Sequence, residues 1–152
     1  MIKLDIDTLL QLFHEKKLEP HFDPATSQVQ IVLTVSKREI PVFFNIISGG
    51  LVLQSIAYLP IEIGEKHIPD ISRLLHILNK QLDLPGFGMD EKARLLFFRV
   101  NYPCIGKTFH PNIIDVMLGA SELACDSFLS GIELIANGSV SLDKTLKEKN
   151  SL

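Results

Sequence analysis

Between Gln28 and Leu59 the chain runs three times through residues that favour strands, joined by links too short for anything but antiparallel pairing. Val29, Ile31, Leu33 and Val35 alternate with Gln30, Val32 and Thr34, and this period of two gives the run Gln28 to Val35 one strongly apolar face. Ser36-Lys37-Arg38-Glu39 is a polar turn. Ile40 to Ile47 is a second run, rich in aromatic and branched residues, and Ser48-Gly49-Gly50 supplies positive-φ freedom for a tight connection to a third, Leu51 to Leu59. Three such runs predict an antiparallel meander. Pro41 lacks a backbone donor and predicts an edge or an irregularity near the start of the second strand.

The flanks read as helices. Ile6, Leu9, Leu10 and Phe13 recur at helical spacing behind Asp5 or Asp7 as cap, which predicts a first helix reaching about Lys17. Glu19 to Pro24 holds two prolines and reads as a connector. Ile68-Pro69-Asp70 opens a second helix, with Ile71, Leu74, Leu75, Leu78 and Leu82 at helical spacing to about Gln81. Leu84-Pro85-Gly86 breaks it and leads to a hairpin, with Phe87 and Met89 in one arm, a turn at Asp90 to Ala93, and Leu95 to Val100 in the other.

Tyr102 to Lys107 reads as loop, and His110-Pro111 begins the longest helical pattern, with Ile113, Met117, Ala120, Ala124, Phe128 and Ile132 on one face and Gly138 as its stop. Gly119, Ala120, Ser121, Ala124 and Cys125 are small enough to let another backbone approach, either the sheet or a second subunit. A short capped helix at about 141–149 closes the chain. The order α-βββ-α-ββ-α predicts one α+β domain over 1–152, a single antiparallel sheet with helices gathered mainly on one face.

Composition excludes several classes. A chain of 152 residues with 46% hydrophobic and 22% charged residues has enough apolar surface for one core. Net charge is −3 and the basic residues are scattered, so there is no electrostatic footprint for nucleic acid. No segment approaches the roughly 20 apolar residues of a membrane span, and the N-terminus lacks a basic region followed by an apolar run. The expected location is the cytoplasm, with Cys104 and Cys125 as reduced thiols and Asn137-Gly138-Ser139 as a turn rather than a glycosylation site.

Candidate chemistry is sparse. Gly106-Lys107-Thr108 looks like the end of a phosphate loop, but Asn101 stands where that motif needs glycine, and Thr108 or His110 reads better as a helix cap. His14, His21, His67, His76 and His110 lack the spacing that would place two imidazoles on one metal. Cys104 with His110 is a thiol and imidazole close in sequence, without an orienting third group. The expectation is therefore no catalytic residue, no metal and no cofactor. The aromatic pairs are more telling: Phe43-Phe44 and Phe97-Phe98 each place neighbours on opposite faces of a strand, so one ring of each pair needs a partner other than the core.

The element order resembles that of the YbjN-like family, which shares the fold of the class I type III secretion chaperones. Leu78-Asn79, Gly86-Phe87 with Met89-Asp90, Phe98-Arg99, and Gly138-Ser139 with Ser141 before a short last helix carry that resemblance. It implies a small homodimeric protein that holds a partner polypeptide or secreted effector on apolar patches, without catalysis or cofactor. Phe43, Phe44, Ile46 and Val52 are the sheet-surface contacts so implied, and Leu95, Phe97, Gly119, Ala120 and Ala124 the dimer face. Two rivals are a small-molecule or enzymatic pocket between sheet and helices, and a regulatory or scaffold subunit whose sheet edge pairs with a partner strand.

Overall fold

The computed structural model describes residues 1–84 and 86–150. The expected break at Pro85 and the tail at 151–152 lie outside the described residues. The elements are β1 (Ile2–Lys3), α1 (Ile6–Glu15), β2 (His21–Asp23), β3 (Gln28–Val35), β4 (Arg38–Ile47), β5 (Val52–Leu59), α2 (Ile68–Asn79), β6 (Phe87–Asp90), β7 (Leu95–Pro103), β8 (Thr108–Phe109), α3 (Ile113–Ala136) and α4 (Leu142–Asn150).

Six strands form one antiparallel sheet in the order β2-β3-β4-β5-β7-β6. The fold is α+β, as the element order predicts. The meander β3-β4-β5 is its centre; α2 then carries the chain to the far edge, and β7 returns between β5 and β6. Pro41 sits inside the β3–β4 ladder opposite Val32, one residue beyond the end of the β4–β5 ladder at Val42 and Ala57.

Three strands escape local reading. The connector between Pro20 and Pro24 contains β2, which pairs with residues 28–30 of β3. A separate two-stranded ribbon joins β1 to β8, with Ile2 opposite Phe109, and ties the N-terminus to the approach to α3.

One parity of every strand in the large sheet faces the helices. Val29 and Ile31, Val42 and Phe44, Leu53 and Ala57, Leu96 and Phe98, and Phe87 are all buried, and burial of this much aliphatic and aromatic surface is the main favourable term in folding. Asp5 caps α1 by accepting the Thr8 N–H at 2.9 Å, which directs Phe13 onto Phe44 with ring centres 4.9 Å apart. From α3, Phe128 meets Phe87 at 6.0 Å, and Phe87 in turn meets Phe98 at 5.0 Å. The buried stripe of α3 runs through Ile114, Met117, Ser121, Ala124, Cys125, Ile132 and Ile135. It is rotated from the expected face, so that Ser121 rather than Ala120 points inward and its hydroxyl donates to the Met117 carbonyl at 3.0 Å.

Asn79, the last residue of α2, fastens the hairpin. Its side-chain oxygen accepts the Gly86 and Phe87 N–H groups at 3.2 and 2.9 Å, and its amide donates to the Phe87 carbonyl at 2.9 Å. Gly86 lies so close to β7 that a Cβ there would sit 2.0 Å from the Arg99 carbonyl oxygen. Asn79, Gly86 and Phe87, which carried much of the resemblance, thus form one hydrogen-bonded unit.

Candidate functional site: the uncovered face of the sheet

Among the described residues no helix lies over the opposite parity of the same strands, whose side chains are half-buried or exposed. Phe43, Ile56 and Arg99 stand in one register line across β4, β5 and β7, with Gln30 and His21 continuing it on β3 and β2. The next line holds Tyr58, Phe97 and Gly88 across β5, β7 and β6. Phe43, Ile56, Tyr58 and Phe97 are half-buried, while Val32 and Leu95 at the sides are 49% and 47% exposed.

The rings form a row. Phe43 meets Tyr58 edge-on at 5.6 Å between centres, and Tyr58 meets Phe97 edge-on at 6.3 Å, the geometry aromatic pairs prefer. Phe97 reclines across its neighbour strand: a Cβ on Gly88 would be 2.5 Å from its ring tip, so only glycine leaves that space. The Arg99 guanidinium stands 5.8 Å from the centre of the Phe97 ring and stacks on it as a cation on a π face.

Below this row lies a ladder of side-chain amides. Asn45 donates to Gln54 at 3.3 Å, and Gln54 to Asn101 at 2.9 Å. Beyond it Ile47, Val52 and Pro103 stand in register, and the corner is extended by Leu51 and by Ile105, which is 88% exposed.

The contacts implied by the resemblance are redistributed. Phe43 and Val52 belong to the uncovered face. Phe44 does not: it is fully buried against Phe13 and cannot meet a partner, because it has the parity that α1 covers. Ile46 shares that parity and packs against the core. Leu95 and Phe97, assigned to a dimer face, join Phe43 on the open sheet. Gly119 and Ala120 line a groove of about 430 Å³ between α3 and residues 81–84. Ala124 at its floor is 1% exposed and belongs to the core. Tyr58, Ile56, Gly88 and Arg99 were missed; the signal was the alternation that puts Tyr58 on the same side as Phe43 and Phe97 once the register is known.

The sequence pattern of YbjN, described as "Putative bacterial sensory transduction regulator", matches residues 5–134, from the cap of α1 to near the end of α3. The chain belongs to the YbjN family. No curated protein matches it. In this YbjN member the matched span includes the whole six-stranded sheet and both of its faces, while α4 lies beyond it.

The remaining candidates for chemistry in this YbjN chain have structural roles. Cys104 is buried and donates its thiol to the Tyr102 carbonyl at 3.5 Å, and burial pushes its pKa up. Burial pushes the Cys125 thiol up to about 11, so neither is a ready thiolate near neutral pH. His110 instead accepts the Asn112 N–H at 3.2 Å at the start of α3. Gly106 and Lys107 form a left-handed turn that runs into β8 rather than a helix, which removes the geometry of a phosphate loop. Thr108 donates to the Ile105 carbonyl within that turn and does not cap α3. Among the described residues no group of three His, Cys, Asp or Glu is placed to hold a metal, and no helix is long and apolar enough to cross a membrane.

Proposed function

We propose that this protein is a non-catalytic binding module that holds a partner polypeptide on the uncovered face of its sheet, in the manner of secretion chaperones. The observation that carries the reading is the row Phe43, Tyr58, Phe97: three rings on one face, aligned edge to edge, with no helix above them. Clustered, half-buried aromatic residues are the composition of binding hot spots, and here amides border the row on one side. The family's description as a sensory transduction regulator is in keeping with holding a protein partner. The absence of a ready thiolate at Cys104 weighs against the rival enzymatic reading.

The test is site-specific photo-crosslinking in the native cell with a benzophenone residue at position 43 or 97, and at exposed position 66 as control. The reading expects discrete polypeptide adducts at 43 and 97 that disappear in a Tyr58→Ser background. Equal adducts at all three positions, or none at 43 and 97, overturn it.

We place self-association, the second element of the reading, on the outer ridge of α3. Val116 and Leu123 are 53% and 65% exposed there, and nothing lies within 4 Å of a Cβ built on Gly119. Sedimentation at micromolar concentration is expected to give a dimer for the wild type and a monomer for Leu123→Lys. A wild-type monomer removes this element and leaves the sheet reading intact.

A further inference from the structure

We propose that the polypeptide held on the open face presents a carboxylate to Arg99, flanked by aliphatic or aromatic side chains that lie on Phe43, Tyr58 and Phe97. This inference rests on the reading above and deepens it by naming the chemistry of the partner.

Arg38, Arg73 and Arg94 each have an acidic partner: Glu133, Asp143 at 2.8 Å and Glu65 at 3.6 Å. Arg99 has none within ion-pair distance among the described residues, and it stands where the apolar row meets the amide ladder. An occupant that covers Phe97 also covers the guanidinium stacked on it. Removing that charge from water without a counter-charge is strongly unfavourable, so a wholly apolar occupant fits poorly. One carboxylate can accept two parallel N–H bonds from the guanidinium and turns the penalty into selectivity.

Among the described residues, none of the carboxylates on this face lies within ion-pair distance of Arg99. The Asp23 carboxylate accepts from Ala25 N–H and the Thr26 hydroxyl, and that of Asp90 accepts from Ala93 N–H. Glu39, opposite Thr34, is exposed on this same face, four residues along β4 from Phe43 and away from the Arg99 line. Nucleic acid, which also uses aromatic sheet surfaces, needs a basic surround; here the chain carries a net charge of −3, and among the described strand residues of this face Arg99 is the only lysine or arginine.

Phage-displayed random peptides selected on the wild-type protein, with counter-selection on the Phe43→Ser/Phe97→Ser variant, provide the test. Enriched sequences are expected to carry Asp or Glu beside Leu, Ile, Val or Phe. An enriched peptide re-made with Asn or Gln for its acidic residue should bind wild type roughly tenfold more weakly by fluorescence anisotropy, and this difference should vanish on Arg99→Met. The comparison of acidic and amide peptides is made on the wild-type protein, so it does not depend on the folding of a variant. Enriched peptides without acidic preference, or with unchanged affinity after the amide exchange, overturn the carboxylate and leave the open face as a binding site. Failure to enrich any peptide that depends on Phe43 and Phe97, or preferential binding of labelled oligouridine, overturns both.

Discussion

Replacing Asn79 by alanine tests how the hairpin that builds half of the open face is held. The substitution removes three hydrogen bonds, two accepted from the Gly86 and Phe87 N–H groups and one donated to the Phe87 carbonyl, at 3.2, 2.9 and 2.9 Å. At about 1 kcal/mol net for each, the loss is about 3 kcal/mol. Asn79 is half-buried, so water replaces some of this, and the lower bound is roughly 1.5 kcal/mol. For a domain of this size each kcal/mol moves the midpoint by about 2–4 °C, which predicts a fall in Tm of roughly 3–12 °C. Urea unfolding followed by circular dichroism should show a lower midpoint with an unchanged slope. Native-state hydrogen exchange should show the Gly86 and Phe87 amides losing protection ahead of β3 and β4. A loss below about 0.5 kcal/mol, or undiminished protection of those two amides, would refute the clasp.

Gly86→Ala should be at least as damaging, about 3 kcal/mol or more in the same urea assay, because its Cβ would sit 2.0 Å from the Arg99 carbonyl and must break the Arg99 N–H to Gly86 carbonyl bond of 2.9 Å. Phe98→Ser should remove about 3–5 kcal/mol while Phe97→Ser removes under about 1.5 kcal/mol, since only the former ring is in the core; comparable losses would contradict the assignment of faces. Asp5→Ala should lower stability by about 1 kcal/mol near neutral pH through loss of the α1 cap. The Lys3 ammonium, then the Thr8 hydroxyl and the Thr8 N–H, hold the Asp5 carboxyl down at about 2 against an ordinary 3.8. The cap's contribution is thus complete above pH 3.8 and fades as pH falls through about 2, so the thermal melts of wild type and variant should converge over that interval.

The structure sharpens what the open face is. It is a row of rings bordered on one side by amides and carrying a cation with no carboxylate within ion-pair distance among the described residues, rather than a generic apolar patch. Leu95 and Phe97, which the resemblance put with the small residues of α3 in a dimer face, lie on the sheet with Phe43, and the α3 groove is a separate surface. Any experiment that mutates the two sets together would confuse two sites.

Much of this was legible in the chain. The alternation of Val29, Ile31, Leu33 and Val35, the tight links on either side of β4, and the helical spacing of α1 and α2 place most elements within a few residues of their observed bounds. Local pattern suffices there because each run buries a face long enough to set its own period. It failed for β2, three residues between prolines whose strand character comes only from pairing with β3, and for β1 and β8, which pair with each other from far apart in the sequence. It also missed the rotation of α3, because Ala120, Ser121 and Ala124 are small enough to be read into either face.

The sequence by itself determined that Phe43 and Phe44, and Phe97 and Phe98, must part to opposite sides, since successive side chains on a strand alternate. It did not determine which side would be covered. That was settled in three dimensions when capped α1 laid Phe13 on Phe44 and α3 laid Phe128 on Phe87 beside Phe98. With three helices on that face, Phe43, Tyr58 and Phe97 were left without a cover, because the direction in which a helix crosses a sheet depends on connections and packing far from any one strand.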